Sequence, residues 1–259
     1  MRAPFHVLLR WVLRLAVAAG LVAGGFVVLL HCAPLFFRWS ATAENLTLYA
    51  DTPFHSRDGE AVLWKLRERL EAEPLYSAEE HHAIFVCNTA WRRWLFFLPN
   101  HRAAGLNYAP FTTNVFLSGG NIRENQLVNP AGRVIGGETT LAYFAGHEIG
   151  HTLTVESLGA WAYHTQTTSW LKDAYADRVG RGSVFQRPAA RAAYLAETDE
   201  MNRPQAAPYL RYNLLLGQLL ENERLTLREI ADRRITRADA EDRLRRYLVN
   251  ESGHRSPGP

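Results

Sequence analysis

The sequence predicts an α+β domain, with a small sheet and a mainly helical C-terminal half, preceded by one N-terminal transmembrane helix. Three observations predict it. Residues 15–30 carry no charged or strongly polar side chain, short β-rich runs punctuated by Gly, Pro and Asn occupy the middle, and apolar residues recur at helical spacing beyond residue 140. With 47% hydrophobic and 21% charged residues, the chain can bury one sizeable core. The boundaries read as 1–37 for a cytoplasmic stub and anchor, 38–250 for one folded domain and 251–259 for a disordered tail.

At roughly 1.5 Å per residue, a helix over 11–33 crosses a bilayer core of about 30 Å, so a lipid bilayer is the first expected partner. Arg2, Arg10 and Arg14 precede the apolar run with no acid among them. The positive-inside rule then keeps the N-terminus cytoplasmic and the domain extracytoplasmic. A cleaved signal peptide is the rival, with small residues Ala41, Thr42 and Ala43 as its cleavage site. The apolar run is longer than such a peptide needs, which favours a retained anchor. The net charge of +3 comes from arginines interleaved with acids, not a nucleic-acid surface. Cys32 and Cys87 are too few for a disulfide framework and read as free thiols.

Residues 44–80 read as a leading helical region, with Val62, Leu63, Leu66 and Leu70 on one face and Pro74 as its stop. Residues 82–87 form a short strand. The aromatic run 91–97 either touches the bilayer interface or is buried. Residues 114–118 form a second strand, internal or at an edge where an extended peptide can pair, and 133–135 a short third. Thr139 or Thr140 caps a helix running to about residue 153. Helices follow over 169–179, 188–197 and 209–220. Thr226 with Glu229 makes a capping box, and Thr236 with Asp239 starts the last helix.

The capped helix carries His147, Glu148 and His151. Residues four apart lie on one helical face about 6 Å apart, so both imidazoles can address one metal ion while Glu148 reaches a water beside it. This is the zinc-binding HExxH arrangement. Gly150 is unfavourable in a helix interior by roughly 1 kcal/mol and suggests close approach of substrate or a neighbouring strand. A third ligand must come from downstream, and the best segment runs Trp170-Leu171-Lys172-Asp173-Ala174-Tyr175-Ala176-Asp177.

There the chain resembles the gluzincin metallopeptidases, whose HExxH helix is followed by a helix bearing an acidic ligand in a Trp-Leu-x-Glu-Gly-x-Ala context. The resemblance covers mainly 138–180, and Asp173 and Ala174 stand where the family has Glu and often Gly. It implies a zincin-like fold, Zn2+ held by His147, His151 and Asp173, and Asp177 orienting a metal-bound histidine. It implies hydrolysis of a peptide or protein substrate with Glu148 as general base. Glu197 and Glu200 are more distant alternatives for the third ligand, His164 matches poorly, and Ser157 stands where metzincins place a histidine. Tyr212, or less so Tyr209 or Arg211, can stabilise charge on an attacked carbonyl. Two rival functions stay open, a non-catalytic zinc-containing binding or assembly protein and a zinc hydrolase of a non-peptide amide.

Overall fold

The structure is a computed structural model that describes residues 3–98, 100–129, 131–135, 140–182, 185, 187–198, 201 and 207–254, with backbone alone for 3–7, 207–209 and 251–254. Helix α1, Ala3–His31, contains a stretch, Leu8–His31, long and apolar enough to cross a membrane. Its side chains are exposed over 8–25. From Phe26 onward they turn into the folded domain, and a short 3-10 turn, Ala33–Phe36, leads to the sheet.

Strands β1, Trp39–Ala43, and β2, Leu46–Ala50, pair antiparallel, with Ala43 opposite Leu46 across a tight turn in which Glu44 has φ 52°. This corrects the helical reading of residues 44–80 at its start. Leu46, Leu48 and Ala50 alternate with Thr47 and Tyr49, a period of two, and the Thr42 and Thr47 hydroxyls meet across the strands at 3.2 Å. Helix α2, Ser56–Leu70, buries Val62, Leu63, Leu66 and Leu70, the face its spacing predicts.

Strand β3, His82–Val86, runs parallel to β2, and helix α3, Ala90–Phe96, occupies the aromatic run. Strands β4, Gly105–Asn107, and β5, Val115–Leu117, complete a sheet of order β1-β2-β3-β5-β4. The strand expected over 114–118 is therefore internal, and β1 and β4 are the two edges. Strands β6, Gly120–Asn121, and β7, Gln126–Leu127, form a separate hairpin. Of the expected strand at 133–135, Val134 makes one isolated bridge, to Val128.

The sheet is covered on both faces, which is why β3 is a continuous apolar run instead of an alternating one. Ile84, Val86, Val115 and Leu117 point into the larger cluster with α2 and the helices that follow. Ala83, Phe85, Cys87 and Phe116 point the other way, to Phe96 and Phe97 and to Leu30, Ala33 and Phe37. Residues assigned from sequence to the anchor thus help build the core. Cys87 and Cys32 are free thiols, Cys87 buried.

Helix α4, Leu141–Leu158, starts at Thr140, whose hydroxyl accepts the Tyr143 N–H at 3.1 Å. Thr139 lies outside the described residues. Then come α5, Ala160–Thr165, α6, Ser169–Arg181, and α7, Arg187–Leu195. Helix α8, Ala207–Gly217, continues as a π turn, Gln218–Asn222. Helix α9, Leu227–Asp232, carries the expected capping box of Thr226 and Glu229. Helix α10, Arg237–His254, extends past residue 251, where a disordered tail was expected, and residues 255–259 lie outside the described residues.

Candidate metal centre

The site is set by how closely α4 and α6 approach. A Cβ on Gly150 would lie 2.7 Å from the Ala176 Cα, and one on Gly146 would lie 3.2 Å from the Gly180 Cα. Two glycines four apart on α4 therefore admit the backbone of α6, and any side chain at Gly150 would drive the helices apart. The close neighbour that Gly150 suggested is this helix, not a substrate or a strand.

This approach brings Asp173 of α6 to His151 of α4, with Oδ1 and Nε2 3.9 Å apart. One ligand atom each from His147, His151 and Asp173 falls within 4.8 Å of the others, close enough to hold a metal ion. The imidazoles stand nearly perpendicular, with centroids 5.0 Å apart. Burial lowers the His147 pKa to about 4, with Arg181 adding to the effect, and pushes His151 well below its ordinary value. Neutral imidazoles are the form a metal requires. Burial raises Asp173 to about 6.

Glu148 points from α4 toward the sheet edge. Its Oε2 accepts a hydrogen bond from Asn107 Nδ2 at 3.1 Å, and a Cβ on Gly105 would come within 2.7 Å of its Oε1. Strand β4 thus supplies both the space and the donor that fix this carboxyl. Burial, opposed by the Asn107 bond and assisted by Asp173, raises its pKa to about 7. On the other side Tyr163 of α5 places its hydroxyl 3.1 Å from His151 Nδ1, and the Lys172 ammonium lies over its ring at 4.4 Å. Burial first, then the Glu148 and Asp173 carboxylates, hold this phenol protonated.

Comparison with protein-family models, curated proteins and solved structures gives no match. The arrangement therefore rests on its own geometry.

The structure brings together four of the residues singled out from sequence, His147, Glu148, His151 and Asp173. The described hydrogen bonds of Asp177, expected to orient a histidine, come from other groups. Asp177 is fully buried and accepts hydrogen bonds from Tyr143 Oη at 2.5 Å, Arg181 Nε at 2.8 Å and Asn213 Nδ2 at 3.1 Å. The reason is register: α6 crosses α4 so that the turn after Asp173 meets Tyr143, one turn before His147.

Tyr212 stands against Trp170, with centroids 6.3 Å apart, and none of its described contacts is with the four site residues. Arg211 lies over Tyr194, Glu197 follows α7 with φ 47°, and His164 is exposed. Glu200 and the Tyr209 side chain lie outside the described residues. Gly105, Asn107 and Tyr163 were missed from sequence, and no spacing signal ties them to the HExxH helix.

Proposed function

We propose that the chain is a membrane-anchored zinc metallopeptidase. The observation that carries this reading is the convergence of His147, His151 and Asp173 within 4.8 Å, with the Glu148 carboxyl buried beside them. Two neutral imidazoles and one carboxylate make a donor set typical of a catalytic zinc site that keeps its fourth position open. Zinc, when bound there, supplies Lewis acidity toward a water and a substrate carbonyl. Glu148, held in aim by Asn107, takes the water's proton and hands it to the leaving amine. Tyr163 keeps its hydroxyl on Nδ1 of His151, so that Nε2 stays presented to the metal.

A peptide substrate is favoured by β4. It ends the sheet and lies against Glu148, so an extended chain added along its outer edge would run past the carboxyl that activates water.

Retention of α1 is favoured by β1. The small residues Ala41, Thr42 and Ala43 lie inside a strand registered against Leu48, Thr47 and Leu46, so cutting there would remove an element of the sheet. With Arg2, Arg10 and Arg14 on the cytoplasmic side, the domain is extracytoplasmic. A reporter fused after Pro259 is expected to be active outside the cytoplasm.

The direct test is Glu148→Gln in the full chain. Metal analysis should still find about one zinc per chain, as a single three-ligand site implies. Cleavage of a library of internally quenched peptides should be lost. Zinc binding without cleavage by the wild type would point to the non-catalytic binding protein instead.

A further inference from the structure

Helix α3 has two faces, and the candidate site uses neither. Inward, Phe96 is fully buried, with ring centroids 4.8 Å from Phe116 and 5.9 Å from Phe36. Outward, Trp91 and Trp94, three apart on one face of α3, are 50% and 63% exposed, and Leu98, in the turn that follows the helix, is 45% exposed. Leu35 extends the patch: it is 84% exposed and precedes Phe36, whose ring lies 6.5 Å from Trp91. A contiguous apolar patch of this kind marks a contact surface.

Its neighbours and its position identify what it contacts. The exposed Arg38 lies 5.5 Å over the Trp39 ring, the Arg92 guanidinium, 4.2 Å over Trp91, is held within the domain by Asp51 and the Phe36 carbonyl, and residues 90–98 hold no acid. Tryptophan and arginine together suit the headgroup layer, where an amphipathic ring and a cation beside phosphates are both satisfied. The exposed part of α1, residues 8–25, spans roughly 27 Å at about 1.5 Å per residue only with Arg10 and Arg14 reaching back from its first turns to the cytoplasmic headgroups, and the charge-free part, 15–25, spans roughly 17 Å, so a bilayer core of about 30 Å extends to where the helix meets the domain. At Phe26 the helix enters the domain: its ring meets Tyr108 at 5.4 Å, and the Leu30 carbonyl accepts a hydrogen bond from Asn114 Nδ2 at 2.8 Å. The same aromatic cluster receives the inner face of α3. The exposed patch thus stands beside the point where α1 leaves its apolar span.

We propose that α3 and the turn before β1 lie in the headgroup region of the bilayer that α1 crosses, with Trp91, Trp94, Leu98 and Leu35 seated at its boundary with the acyl chains. This rests on the reading of α1 as a retained anchor. The domain then has two attachments to the membrane, the span and this platform, and cannot swivel about a flexible stem.

The test uses the full chain in lipid nanodiscs, in a Cys32→Ser background with Cys87 left buried and unlabelled. Single cysteines introduced by Trp94→Cys, Leu35→Cys, Leu21→Cys and Lys65→Cys carry an environment-sensitive fluorophore. Lys65 is an exposed control on α2, across the sheet from α3. The expected result is loss of fluorescence at 94 and 35 with quencher lipids labelled near the headgroup, loss at 21 with acyl-chain quenchers, and loss at 65 with aqueous iodide alone. If 94 and 35 are open to iodide while 21 remains in the acyl chains, the platform is overturned and the anchor stands. Shielding of 94 and 35 from both quenchers also overturns it, since a protein surface covers the patch instead. If 21 is not quenched by lipid, the anchor reading falls and the platform with it.

Discussion

Tyr163 and Asp173 approach the His151 ring through different nitrogens, the hydroxyl at 3.1 Å from Nδ1 and the carboxylate at 3.9 Å from Nε2. A hydroxyl that accepts from Nδ1–H fixes the tautomer whose Nε2 lone pair is free for a metal. Tyr163→Phe should therefore weaken zinc affinity by about 10- to 100-fold with little change in folding. Chelator competition checks the first part and thermal melting the second; unchanged affinity would mean the hydroxyl does not act on the ring.

Gly150→Val should damage fold and site together. Its Cβ would lie 2.7 Å from the Ala176 Cα, a backbone atom that moves only if α6 moves. Overpacking of this kind costs about 1–3 kcal/mol. Because the shift also carries Asp173 away from His151, zinc retention should drop beyond what the lost stability explains, as read by metal content of the folded fraction.

Asp177→Ala should act on stability, not on the metal directly. Its hydrogen bonds from Tyr143 and Asn213 are buried and the one from Arg181 is partly buried, and removing one partner of a buried pair costs up to about 3–5 kcal/mol. A chemical denaturation curve reads this loss. A variant that folds as the wild type does but binds zinc poorly would restore the orienting role expected from sequence.

His82 gives a pH signature away from the metal centre. Burial lowers its pKa to about 4, from an ordinary value near 6.5. Below about pH 6.5 the unfolded chain takes up a proton that the folded chain refuses, so stability falls as pH drops toward about 4 and this contribution then levels off. The lost amount is about 3 kcal/mol. Burial-raised carboxyls such as Glu73 and Glu156 work in the opposite sense, so the reading is a difference. His82→Leu should show a shallower decline than the wild type between pH 6.5 and 4; parallel curves would refute the assignment.

How much of this was legible in the sequence follows from which signals are local. His147, Glu148 and His151 lie within five consecutive residues of one helix, so their spacing alone predicts a shared face. Asp173 was reachable because its helix and its acidic side chain are both written in one short segment. Asp177 was not, because its facing depends on the register of α6 against α4, which Gly146, Gly150, Ala176 and Gly180 set through backbone contact. Gly105 and Asn107 reach Glu148 only through sheet pairing, and Tyr163 reaches His151 through a helix of six residues with no periodic signal. The hairpin at 39–50 was overlooked because alanines and threonines at its start carry little strand signal beside the strongly amphipathic α2.

The placement of 41–43 inside β1 has a practical consequence for preparing this protein. A soluble fragment starting just after Ala43 would leave β2 as a bare sheet margin, its N–H and C=O groups open to pairing with another molecule. It would also lose Leu30, Ala33 and Phe37, uncovering Phe85, Phe96 and Phe116. Such a fragment is expected to clump, so its inactivity would say nothing about the metal centre, and detergent or nanodisc preparations of the intact chain are the meaningful starting material.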